Sequence, residues 1–214
     1  MIKAEVRSLI RNLLPKVDES NAWHDRVIDA AIEKALSSFY EDVWRINPLN
    51  LQRYVKRYGY TASIAVYQET GSGIYYSTLP EMIVPFQDKA SGVRRVDSGT
   101  ISNLKFFPMD AREVDLVTDG PFFDTANTKI GYLVTQDRVE FYNMSATVVS
   151  AGVRMDLIIP FSRYEEEDIV LVPEIVNPRT NETFADRVLH ILGVVGPSDL
   201  KDDNTSSFVT QKDR

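Results

Sequence analysis

The sequence contains no cysteine, and its histidines number two and its tryptophans two among 214 residues. Without cysteine there is no disulfide staple, thiol nucleophile, redox switch or thiolate zinc site. Stability must come from packing. His24 and His190 each stand alone on a stretch of helical pattern, outside any His-Glu-x-x-His spacing. Both are expected to pack or face water, and no metal and no cofactor is expected. No apolar run approaches the ~18–20 residues of a membrane helix. The start Met1-Ile2-Lys3-Ala4-Glu5 lacks the cationic-then-apolar order of a secretory leader. Cytoplasmic synthesis and assembly, with no membrane partner, is the expectation. Gly71-Ser72-Gly73 leads into no phosphate-binding pattern and reads as a hairpin turn. No serine sits in a Gly-x-Ser-x-Gly elbow, so the chain is not expected to be an enzyme. The acidic runs Glu165-Glu166-Glu167-Asp168 and Asp202-Asp203-Asn204 lack the spaced oxygens of a calcium loop and read as solvated turns.

What is present suits globular folding. At 43% hydrophobic, 10% aromatic and 26% charged, the chain can fill the core of one domain or two small ones. A net charge of −7 opposes broad attraction to phosphate backbones or anionic membranes. The charge is uneven. Residues 163–214 hold eleven acids and six bases, whereas every charge between Asp42 and Glu69 is basic: Arg45, Arg53, Lys56 and Arg57. Complementary pairing of this neck with the acidic third, in the same chain or in neighbouring copies, is expected.

Periodicity sets the order of elements. Val6, Leu9, Ile10, Leu13 and Leu14 keep helical spacing until Pro15. A longer helix is predicted over Ala22–Trp44, capped by Ser20 or Asn21, with an apolar face wider than one partner helix needs. A third helix is predicted over Pro48–Tyr58, with Lys56 and Arg57 in its last turn and Gly59 ending it. From Tyr60 the period becomes two. Strands are predicted around Ile64 and Val66, then at Ile74–Tyr76 after a hairpin turn, and at Met82–Pro85, Val93–Asp97, Lys129–Thr135, Arg138–Asn143, Val153–Ile159 and Ile169–Val172. Pro108–Val117 reads as one or two helical turns, Asp119–Asn127 as a loop, and Glu182–Leu192 as a closing helix. The expected fold is α+β. Residues 1–59, with 181–193 packing back, form a helical base; residues 60–175 form a β-rich insertion, an antiparallel sheet or barrel-like; residues 196–214 form an extended assembly arm.

Several segments, in this order, resemble ring or connector proteins of podovirus-like tailed bacteriophages, the crAss-like group in particular. They are Ile28-Asp29-Ala30-Ala31-Ile32-Glu33-Lys34-Ala35-Leu36, Asn47-Pro48-Leu49, Tyr54-Val55-Lys56, Leu79-Pro80, Ser91-Gly92-Val93-Arg94-Arg95-Val96, Phe106-Phe107-Pro108-Met109, and the pair Ile130-Gly131-Tyr132-Leu133-Val134 with Arg138-Val139-Glu140-Phe141-Tyr142. The resemblance covers most of the chain up to about Pro173. It implies a virion structural protein: one subunit of a homo-oligomeric ring of twelve copies beneath the portal protein, at the head-to-tail junction. Its partners would be portal, other connector or tail proteins, and genomic DNA passing without sequence-specific contact.

No catalytic, cofactor or metal residues follow from the sequence. The expected interface residues are Trp44, Arg45, Arg53, Lys56, Arg57, Arg94, Arg95, Phe208 and Val209. The run Arg53-Tyr54-Val55-Lys56-Arg57-Tyr58-Gly59-Tyr60 interleaves bases with aromatics, a composition that can hold nucleic acid; the overall charge favours protein contacts instead. An alternative reading is a β-rich binding module, such as a tail or carbohydrate-binding protein, using tyrosines 67, 75, 76, 132 and 142 as a platform. A tail hydrolase is a third.

Overall fold

The computed structural model describes residues 1–14, 23–115, 128–177 and 181–194. Helices and antiparallel or mixed sheets make it an α+β protein. Two compact units divide it: the described residues of Met1–Tyr40 with Tyr164–Arg214, and Glu41–Arg163. The expected boundaries at 59/60 and 175/176 therefore move to 40/41 and 163/164, and the basic neck joins the β-rich unit.

In the first unit, α1 (Lys3–Leu13) buries Val6 and Ile10 as its period requires. Helix α2 (Asp25–Ile46) buries Ile28, Ala31, Ile32, Ala35, Leu36, Phe39 and Tyr40. Each large side chain among them contributes about 1.5–3 kcal/mol by leaving water. The proposed cap at Ser20 or Asn21 and the helix start at Ala22 lie outside the described residues. Arg7 ties the two helices, its Nε and Nη2 donating to Asp29 at 2.8 and 2.7 Å. Arg11 pairs with Asp25. Strands β9 (Ile175–Asn177) and β10 (Glu182–Thr183) pair antiparallel, and α4 (Phe184–Ile191) follows, packing on α1. Thr183 and Asp186 form a reciprocal capping box at its start.

The second unit begins with the last turn of α2. A 3-10 helix, Pro48–Tyr54, follows, opened by Asn47, whose side chain accepts from Leu49 N at 3.0 Å. The predicted helix over Pro48–Tyr58 stops there. Val55 is extended, and residues Lys56–Tyr58 form β1 because β8 (Val153–Leu157) offers them backbone partners. Strand β8 is the centre of a three-stranded antiparallel sheet, with β1 on one side and β4 (Val93–Ser98) on the other. A five-stranded sheet has the order β2-β3-β7-β6-β5, from Tyr67–Gln68, Tyr75–Thr78, Arg138–Tyr142, Lys129–Val134 and Lys105–Pro108. It is open at β2 and β5, with no barrel closure among the described residues. The β2–β3 hairpin turns through Gly71-Ser72-Gly73, both glycines at positive φ.

Other expectations shift. Residues 60–66 give one isolated bridge, Ile64 to Val153, in place of a strand. Met82–Pro85 is irregular, with Val84 N–H reaching Ile158 O at 2.8 Å. Ile169–Val172 supplies only the bridge of Ile169 to Ile2. Ala111–Glu113 is a short 3-10 turn, and the loop predicted at Asp119–Asn127 lies outside the described residues. Strand β5, parallel to β6, and the short helix α3 (Ala146–Ala151) have no counterpart in the sequence reading.

Candidate functional site

Side chains alternate along a strand, so β8 sends Val153, Met155 and Leu157 into the core and Arg154 and Asp156 to the other face. The register then builds a charged row. Asp156 stands opposite Arg57 of β1 on one side and Arg95 of β4 on the other, and Arg154 stands opposite Asp97. Arg95 Nε pairs with Asp97 Oδ2 at 2.6 Å. Tyr60, 42% exposed, lies over this row and donates its hydroxyl to Asp156 Oδ1 at 3.0 Å. Arg57 and Arg154 approach the Tyr60 ring at 5.7 and 5.5 Å from its centroid. Partial burial, then the hydrogen bond to Asp156, raises the Tyr60 pKa, so the hydroxyl stays a donor. Beside the row lies an open depression of about 480 Å³ lined by Arg95, Asp97, Ser98, Gly99, Ser102 and Arg154.

Arg94 points away from Arg95 across a β-bulge between Val93 and Arg95. Its Nη1 donates to Asp88 Oδ2 at 2.9 Å and to Ser91 O at 3.0 Å. The same carboxylate oxygen accepts from Trp44 Nε1 at 3.1 Å, and Arg94 lies over the Phe86 ring. Thus Trp44 and Arg94 meet through one acid. Asp88 Oδ1 is buried without a partner.

Of the other expected interface residues, Arg45 and Arg53 are exposed, and Lys56 lies over the Tyr58 ring at 5.6 Å. Phe208, Val209 and the whole 196–214 arm lie outside the described residues. The structure brings Arg57 to Arg95 and Trp44 to Arg94. It does not gather the nine into one cluster. Tyr60 belongs to the basic and aromatic run 53–60 of the sequence, whereas Asp156, Arg154, Asp97 and Asp88 complete these groups and escaped the sequence reading; Asp156 lies 99 positions from Arg57, and no local motif marks it.

The tyrosine platform does not form. Tyr75 aligns with Phe141, whereas Tyr76 aligns with Glu140, so the two point to opposite faces. Tyr132 is 3% exposed in the core. Tyr67 and Tyr76 do stack, 5.8 Å apart. Their neighbours form a satisfied network: Arg138 bridges Glu140 at 2.6 Å and Glu69 at 3.1 Å, and Tyr142 donates to Glu140 at 3.0 Å. His24 and His190 are exposed, and no group of three or more candidate metal ligands occurs among the described residues. No described helix is long and apolar enough to cross a membrane.

No protein-family model matches the chain, and no curated protein matches it.

Proposed function

We propose that this chain is a virion structural protein, one subunit of a ring in the head-to-tail connector of a tailed bacteriophage, placed beneath the portal. The observation that carries this reading is the Arg57–Asp156–Arg95 row under Tyr60. Arginine and tyrosine are the side chains that protein interfaces concentrate at their centres. Nearby in sequence, Ile46 and Leu49 are 84% and 68% exposed, apolar surface that a partner would cover. The ordered resemblance of segments from Ile28 to Tyr142 supports the further step from an interface to a phage connector. In this reading the protein performs no chemistry. Copies join head to tail, portal and tail proteins bind above and below, and a net charge of −7 lets DNA pass without adhering.

Electron microscopy of the source particle tests the proposal. The chain should occupy a rotationally symmetric layer between portal and tail, with twelve copies. Single copies outside any symmetric layer would overturn it.

A further inference from the structure

We infer that the charged face of the three-stranded sheet docks a second copy of this chain, which presents its Glu165–Glu167 turn to it. The inference deepens the ring reading by naming the two surfaces that meet.

The receiving surface is built and partly unspent. Arg57, Arg95 and Arg154 face two carboxylates, Asp97 and Asp156. Arg95 is satisfied by Asp97, while Arg57 and Arg154 lie over Tyr60 without a carboxylate partner among the described residues. Three guanidiniums spaced by two acids suit discrete carboxylates better than an unbroken run of phosphates. An Arg- and Tyr-rich face with the adjoining 480 Å³ depression can seat an acidic loop.

The presented surface is ordered in advance. Asp168 Oδ2 accepts from Glu165 N at 2.8 Å and closes the turn. Arg7 holds Glu166 through Nη1 and Nη2 at 3.0 and 2.9 Å. Glu165 and Glu167 are left exposed on a fixed turn, so docking them orders side chains but little backbone. Charge separates the same way: residues 164–214 carry eleven acids and five bases, and residues 41–163 carry fourteen acids and thirteen bases. Complementarity joins the face of one copy to the turn of another, and in the head-to-tail ring proposed above each such contact leaves a free face and a free turn for further copies.

The test places photoreactive benzoylphenylalanine at position 60 of the full chain. Light and heavy isotope-labelled chains are mixed, concentrated and irradiated, and the same is done in intact particles. Cross-links joining position 60 of one copy to residues 164–174 of another are expected. R57E/R95E and E165K/E167K should each lower their yield several-fold, and mixing the two variants should restore it. Melting curves verify folding, with R57Q/R95Q as the milder pair if needed. Cross-links confined within one chain overturn the inference, as does their absence between copies in both settings. Inter-copy cross-links at another surface overturn it while leaving the ring reading standing. Binding of a short DNA duplex in low salt that R57E abolishes would assign the face to nucleic acid instead.

Discussion

Trp44 donates its indole N–H to Oδ2 of Asp88 at 3.1 Å, fastening the end of α2 to the loop before β4. Arg94 shares that oxygen, and its side chain is 10% exposed. Trp44→Phe keeps most of the packing and removes one hydrogen bond to a charged group, so it should cost about 1.5–3 kcal/mol. Asp88→Ala also strands Arg94 and should cost more. Urea midpoints of the two variants check the order; equal losses would mean that Arg94 finds another acceptor.

Arg7 supplies a second test. Its guanidinium forks onto Asp29 and Glu166, and those hydrogen bonds hold its pKa above the ordinary arginine value. Arg7→Lys keeps the charge but cannot make both pairs of bonds. A loss of about 1–2 kcal/mol is expected, reduced from the buried case because Glu166 is half exposed. Thermal melts at low and high salt would check this, with the wild type losing more of its advantage in salt.

Glycine 152 stands at φ +67, and a Cβ there would meet Ile64 O at 2.7 Å and Ser63 Cβ at 2.8 Å. Gly193, at φ +74, has open space around it. Gly193→Ala should therefore cost about 1 kcal/mol for backbone strain alone. Gly152→Ala adds a collision with backbone and should cost about 3 kcal/mol or more. Similar unfolding midpoints for the two variants would refute the collision.

Alkaline pH should weaken the fold through Tyr142 and Tyr164, whose pKa values are pushed up to about 12. Burial is the first cause in both; Tyr142 also donates to Glu140, and Tyr164 lies near the negative charge of Asp168. A tyrosine raised above its ordinary value of about 10 contributes stability that is full below that pH and is lost as pH rises through about 12. Ultraviolet titration of tyrosinate, run beside melting curves, should show late ionisation of these rings coinciding with falling stability.

Helices α1, α2 and α4 and the β6–β7 hairpin were legible because their information is local. Val6 and Ile10 announce α1 by spacing, and Ile130, Tyr132, Val139 and Phe141 alternate on either side of the bend at Gln136-Asp137. Strand β1 was not legible. Lys56-Arg57-Tyr58 before a glycine has the composition of a helix end, and its strand state depends on Met155, Asp156 and Leu157 far along the chain. Strand β5 fails the same test, since its partner β6 runs parallel and lies more than twenty residues away. The interface residues follow this rule. Arg57 and Arg95 could be picked out as unusual cations, but their meeting over Asp156 is a fact of register that neither neighbourhood encodes.

The three-stranded sheet also orders events at the ribosome. Its central strand, β8, is synthesised after both of its flanks, β1 and β4. A nascent chain that has emerged as far as Ser98 holds two strands with nothing between them, and Asp156, which will stand opposite both Arg57 and Arg95, has yet to be made. Loop-closure entropy must be met across 61 and 99 positions when Asp156 arrives to face Arg95 and Arg57. Until then the edges of β1 and β4 are unpaired and open to other chains. Nascent chains stalled short of Met155 should therefore be digested readily within residues 56–98, and those stalled well beyond Leu157 should resist.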